Sequence, residues 1–253
     1  MGILSRFLAH PLTQGQNVDS PMTTERRREI LHQKLFLKAI YKEWYRRLLS
    51  KFATDAAILE IGSGAGFIKE ISPAIITSEV LTVSGVDLIT DCRALPFGRS
   101  CLDGIVMVDV FHHIPSVAGF LREAARCIRP NGRLEMIEPW NTPWAKFIFQ
   151  RIHPEPFEPD ATWELPAAGP LSGANGALPW IVFERDCEQF SRAFPEWKLE
   201  IRELMMPFSY LFSGGISTRV GLPAFLYHPV RKLESLLNQE RWAMFIHIGL
   251  VRT

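Results

Sequence analysis

Two short stretches carry the residue types that could do chemistry. In "ILEIGSGAGF", residues 58–67, Gly62, Gly64 and Gly66 follow the acid Glu60. Glycines at this spacing let backbone approach a ligand with no Cβ atoms in the way and accept positive φ. In "VDVFHHIPS", residues 108–116, His112 and His113 stand side by side behind Asp109. An imidazole titrates near neutrality, so either ring is a candidate general base. As neighbours in a strand, the two rings would point to opposite faces. On that geometry they are not expected to share a metal ion, and no metal site is expected. "HPEPFEPD", residues 153–160, offers His153, Glu155, Glu158 and Asp160. Its interleaved prolines predict an extended segment lining or covering a pocket, not a helix face that gathers ligands.

These residues need elements to hold them. "AAILEIG" is a short apolar run ending in glycine, as a buried parallel strand does. "AIITSEV" and "SGVDLI" read as further strands, and "LDGIVMVDV" as a strongly apolar one. "GFIKEIS" predicts a helical turn or more. "SVAGFLREAARCIRPNG" predicts a helix capped by Ser116, with Phe120, Leu121, Ala124, Ala125 and Ile128 on one face. "GRLEMIEP" returns as a strand. Strand, helix and strand in alternation imply a parallel sheet with right-handed crossovers. Glu25 to Phe52 is predicted to be an amphipathic helix, with Arg26, Arg27, Arg28, Arg46 and Arg47 on a solvated face or, alternatively, on a patch for membrane or acidic ligands. "FERDCEQFSRAF" and "PVRKLESLLNQE" read as helices, and "WKLEIRELMMPF" and "RWAMFIHIGLVR" as late strands.

The motifs together resemble a known family. "ILEIGSGAG" is similar to the first motif of class I S-adenosylmethionine-dependent methyltransferases. "DCRALPFGRSCLDGIVMVDVFHHI" and "FLREAARCIRPNGRLEMIEP" resemble later blocks of its small-molecule, type 11-like branch. The resemblance spans roughly residues 55–140. It implies a Rossmann-like α/β fold with S-adenosyl-L-methionine as cofactor. Gly62, Ser63, Gly64 and Gly66 would lie under its methionine part, with Glu60 near its amino group. An acid at the end of the second strand would accept both ribose hydroxyls, a task suited to two acceptor oxygens. Glu79 and Asp87 both qualify. Glu79 is preferred, because Asp87 lies only four residues from Asp91. Asp91 would bond the adenine amino group and Cys92 would offer a backbone N–H. Asp109 would face cofactor or acceptor, or simply end its strand. Asp103 is expected to order a turn.

A methyl transfer from a sulfonium is an in-line displacement, for which the protein supplies position and electrostatics. His113 and His112 are the expected catalytic groups, followed by Glu138 and His153. Six of the seven tryptophans lie beyond residue 139. Residues 139–180 and 205–230 are therefore expected to form the acceptor site, for a small or lipid-like, partly apolar acceptor. The expected organisation is an irregular arm over 1–24 and one domain over 25–253: an N-terminal helix (25–54), a cofactor core (55–140) and acceptor-side elaboration (141–253).

Other classes are weaker. Phe67 stands where the dinucleotide fingerprint needs glycine, which argues against a nicotinamide enzyme. A non-catalytic S-adenosylmethionine-binding partner protein is the alternative, against which the intact glycines speak. The net charge of +1 gives no field for nucleic acid. Cys92, Cys101, Cys127 and Cys187 form no C-x-x-C pair, which suits reduced cytoplasmic thiols. No segment has transmembrane length, and contact with membranes is expected to be at most transient.

Overall fold

The computed structural model describes residue 12, residues 15–166 and residues 168–253. Most of the expected N-terminal arm thus lies outside the described residues. Two helices come first, α1 (Pro21–Gln33) and α2 (Leu35–Leu49). The first begins four residues before Glu25, since Pro21 at its opening turn is preset for helix and lacks only an N–H that has no partner there. The single predicted helix is split at Lys34, whose ψ of 87° is non-helical. α2 buries Phe36, Leu37, Ile40, Tyr41, Trp44, Tyr45 and Leu48, the three-and-four spacing of one helix face.

A seven-stranded sheet follows. Its strands are β1 (Ile58–Ile61), β2 (Ile76–Glu79), β3 (Leu88–Ile89), β4 (Leu102–Val108), β5 (Ile128–Pro139), β6 (Trp197–Met205) and β7 (Phe245–Arg252). The order is β3-β2-β1-β4-β5-β7-β6. β1 to β5 run parallel, and β7 enters antiparallel between β5 and β6. The central strands are buried along nearly their whole length, as expected of strands covered on both faces. The order reverses direction at β1, between β2 and β4, and open α/β sheets bind ligands at that point, beyond the strands' carboxyl ends.

Helix α3 (Val117–Cys127) crosses from β4 to β5. Ser116 caps it, its Oγ accepting from Gly119 N at 3.3 Å. Phe120, Leu121 and Ala124 pack with Phe111, Phe183 and Phe190 on one face of the sheet. α2 covers the other face together with α4 (Pro143–Arg151). Past β5 come α5 (Cys187–Ala193), α6 (Ser209–Ser213), α7 (Tyr227–Glu234) and α8 (Gln239–Trp242). The stretch before α5, Ile181–Arg185, is a π-helix. The helix predicted after the glycine loop is a single 3₁₀ turn, Ile68–Glu70. No helix among the described residues is long and apolar enough to cross a membrane.

Candidate functional site

β1 delivers its glycine loop to the reversal point. Gly62 has φ +74°, and a Cβ there would run into the side chain of Val110. At Gly64 a Cβ would stand 2.5 Å from the Glu79 carboxylate. The loop is thus pressed between two neighbours as well as bent. Gly64 N donates to Glu79 Oε2 at 2.9 Å, and Ser78 N donates to Ser63 Oγ at 3.2 Å.

Below the loop lies a cavity of about 370 Å³, within the range of small-molecule sites. Of the expected residues, Glu60, Gly62, Gly66, Glu79, Asp91, Cys92, Asp109 and His113 line it. Ser63 and Gly64 do not; they brace the loop from behind. Asp87 is also off the wall: it accepts from Lys69 at 2.5 Å and from Thr77 N at 2.8 Å, pinning β3 to β2. Asp103 accepts from Ala57 N at 2.7 Å and pairs with Arg129 at 2.5 Å, a turn-ordering role as expected.

The polar groups on the wall are unusual for their burial. Glu60 is 2% exposed, and its Oε2 has no hydrogen-bond partner among the described residues. Burial pushes its carboxyl up to about 7, although Ser63 and Tyr45 beside it favour the charged form. Thr24 Oγ1 is likewise buried and unpartnered at the cavity wall. Buried polar atoms normally have partners, so these two point to a ligand between them. Glu79 keeps acceptor capacity, since its Oε1 takes only Val80 N, at 2.8 Å. The Arg93 guanidinium, 2.6 Å from Asp91, holds that carboxyl below its usual range. Burial pushes the Cys92 thiol up to about 12, so it stays neutral.

At the far end the histidines depart from expectation. Phe111–His113 is a 3₁₀ turn, not strand. The two rings are therefore not thrown to opposite faces, and their centroids lie 4.2 Å apart. His112 is buried and does not line the cavity. Its Nδ1 meets Glu138 Oε2 at 2.8 Å, and its Nε2 lies 3.5 Å from Glu155 Oε2. Burial alone would discharge this ring, but the Glu138 and Glu155 carboxylates outweigh it and raise its pKa. His113, on the wall, is pushed down to about 4 by burial and by its charged neighbour. Its Nδ1 meets the Gly173 carbonyl at 3.0 Å. A carbonyl can only accept, so Nδ1 carries the proton and Nε2 the lone pair. Glu138 is fully buried; its Oε1 accepts from Val110 N and Phe111 N at 2.8 and 2.7 Å. It shapes the turn rather than meeting a ligand. Asp109 has φ +60°, a costly conformation for a non-glycine residue and one that clusters at functional sites. Burial drives its carboxyl up to about 7, against the pull of His112.

Several wall residues were not foreseen. Thr24 fell within the expected arm and Arg27 on an expected solvated face, yet both line the cavity with Tyr41 and Tyr45. They arrive because Arg28 clamps α1 onto the loops, donating to Gly64 O at 2.9 Å and Ser84 O at 2.7 Å. Nothing in the local pattern marks these residues, since the contact spans 36 positions of sequence. Of the expected acceptor segments, 139–180 contributes Glu155, Ala168, Pro170 and Leu171, while 205–230 contributes Ile216. His153 borders a smaller hollow that shares Asp109 and Glu155 with the main cavity.

A mostly parallel sheet with a glycine loop over a cavity at its reversal point is the arrangement of class I methyltransferases. The family model for the methyltransferase domain matches residues 31–168, more than half of the chain. The chain belongs to that family, the class I S-adenosylmethionine-dependent methyltransferases. The match extends beyond the motif-bearing 55–140 into α2 and the loop carrying Glu155. Solved structures share the fold. Geranyl diphosphate C-methyltransferase from Streptomyces coelicolor A3(2) superposes with a TM-score of 0.52 at 10% identity, covering 97% of this chain and 89% of its own. A chain of a Haloferax volcanii complex between a methyltransferase activator and a methyltransferase gives 0.53 at 12%, covering 90% and 93%. A SAM-dependent methyltransferase from Thermotoga maritima gives 0.50 at 12%, covering 88% and 100%. Comparison with curated proteins finds no matching sequence.

Proposed function

We propose that this protein methylates a small, partly apolar acceptor held at the Asp109–His113–Glu155 end of the cavity. The carrying observation is that one cavity is lined both by the glycine-loop wall and by this polar end. Cofactor and acceptor can therefore meet without an intervening barrier, as in-line transfer requires.

When bound, S-adenosylmethionine supplies an activated methyl group. Gly62 and Gly66 give it a cradle free of Cβ atoms. The unpartnered Glu60 Oε2 suits an ammonium group, and the free acceptor capacity of Glu79 suits ribose hydroxyls. Asp91 and Cys92 border the region left for the base. Arg27 and Thr24, from α1, roof the same space. Tyr41, Leu171 and Ile216 give the acceptor apolar walls and exclude water. Asp109 and His113 face it with acceptor atoms that can orient, or take a proton from, a nucleophilic hydroxyl or amine. His112 acts through others: clasped by Glu138, it holds the turn that presents His113.

The test is labelled-methyl transfer to fractions of host extract, lipid fraction included, by the purified chain. Methylation of an extractable small or lipid-like compound is expected. Transfer to protein or nucleic acid alone would overturn the acceptor assignment. Binding of S-adenosylhomocysteine with no transfer to any fraction would favour a non-catalytic partner protein.

A further inference from the structure

The 3₁₀ turn at Phe111–His113 creates a cluster that a strand would not. One donor atom each from His112, His113 and Glu155 lie within 4.8 Å of one another. What surrounds them matters more than their proximity. Metal-bound imidazoles characteristically donate their second N–H to a carboxylate or backbone carbonyl, which fixes the ring and aims its lone pair. Both rings here are held in that way. His112 gives Nδ1 to the buried Glu138 carboxylate at 2.8 Å, and His113 gives Nδ1 to the Gly173 carbonyl at 3.0 Å. Nε2 of His113 then carries the lone pair, and Nε2 of His112 faces Glu155 Oε2 at 3.5 Å.

We propose that Nε2 of His112, Nε2 of His113 and the Glu155 carboxylate form a binding site for a first-row divalent transition-metal ion at the acceptor end of the cavity. Two imidazoles and one carboxylate select zinc, cobalt, iron or manganese over magnesium and calcium, which prefer oxygen alone. Donor atoms of Asp109, His112 and Glu138 also lie within 4.8 Å of one another, but that grouping is already occupied by protein hydrogen bonds. Both Glu138 oxygens hold donors, and His112 Nδ1 carries the proton between them.

The charge also fits. Asp109, Glu138 and Glu155 surround the pair, with Asp109 Oδ1 4.0 Å from His112 Nδ1. His153 Nδ1 lies 3.9 Å from Glu155, and Arg27 opposes from the cavity wall. A divalent ion would take the place of the proton that His112 otherwise shares with Glu155, so binding releases protons. Glu155 and His113 both line the cavity, leaving the ion's remaining positions open to an acceptor oxygen. The site therefore favours acceptors bearing an oxygen ligand, such as a hydroxyl or enol.

The experiment uses the full chain, stripped with a chelator and titrated with Co²⁺ by visible absorption and with Zn²⁺ by calorimetry. One equivalent is expected to bind, with a ligand-field band and release of protons. Magnesium in large excess is expected not to displace it. His113→Ala and Glu155→Gln are each expected to weaken binding at least about tenfold, and Glu138→Gln roughly 10–100-fold. Circular dichroism melts check that each variant is folded. Because His113 is only part-buried, its variant keeps the test decisive if the carboxylate variants fail to fold. No band and no heat with the wild type would overturn the site, as would undiminished binding by folded His113→Ala.

Discussion

At the scale of single residues, Glu79 and Asp87 illustrate how position decides between equal chemistries. Glu79 ends β2 and turns into the cavity, whereas Asp87 stands just before β3, where Lys69 and Thr77 hold it. Glu79→Ala is expected to weaken S-adenosylhomocysteine binding roughly 10–100-fold in calorimetry, the loss of one or two hydrogen bonds to a charged group. Asp87→Ala is expected to leave that affinity within a few-fold. Glu60 contributes a pH dependence. Burial pushes its carboxyl up to about 7 in the folded protein, against 4.5 when exposed. Between those values the folded state holds the extra proton, so its contribution to stability falls as pH rises. A cofactor ammonium group prefers the ionised form, so affinity for S-adenosylmethionine is expected to rise with pH up to about 7. Glu60→Gln should flatten the binding trend and lessen the stability trend, to which Asp109, also raised to about 7, contributes; an unchanged pH slope in both would remove Glu60 from this role.

At the scale of elements, the cavity is assembled by long-range clamps. Arg28 fixes α1 to the glycine loop, so Arg28→Ala is expected to lower cofactor affinity about tenfold while the sheet stays folded, as read by calorimetry beside far-ultraviolet dichroism. Glu234, 1% exposed at the end of α7, accepts from Phe208 N at 2.6 Å and from Ser209 N at 2.5 Å, and pairs with Arg231 at 2.6 Å. It sets the start of α6 and through it the wall holding Ile216. Glu234→Ala breaks a buried, paired charge and is expected to cost about 3–5 kcal/mol in denaturant unfolding. Most strands were legible in the sequence, because a strand buried on both faces writes itself as an uninterrupted apolar run. The His112–His113 turn was not. "VDVFHH" continues such a run, but Asp109 leaves the strand at positive φ, and the Val110 and Phe111 N–H groups bond Glu138, 28 and 27 residues away.

At the scale of the whole molecule, one sheet carries both the glycine-loop wall and the end of the cavity proposed to hold the acceptor. Filling the acceptor end should separate the two: Leu171→Trp or Ile216→Trp is expected to raise the acceptor KM at least tenfold with little change in S-adenosylhomocysteine affinity. Equal losses in both would mean that the cavity is not divided in this way. The sequence alone determined the strand–helix alternation and the glycine cradle, since each depends on contiguous residues whose spacing matches a local geometry, and its resemblance to the methyltransferase family implied the cofactor. The tertiary structure decided the rest. It put Glu79 and not Asp87 on the cavity wall, brought Thr24 and Arg27 from an apparent arm and a charged face to the same wall, and gathered His112 and His113 beside Glu155. Those outcomes depend on side chains meeting across tens of residues, as where the buried Glu138 carboxylate gathers Val110 N, Phe111 N and His112 Nδ1.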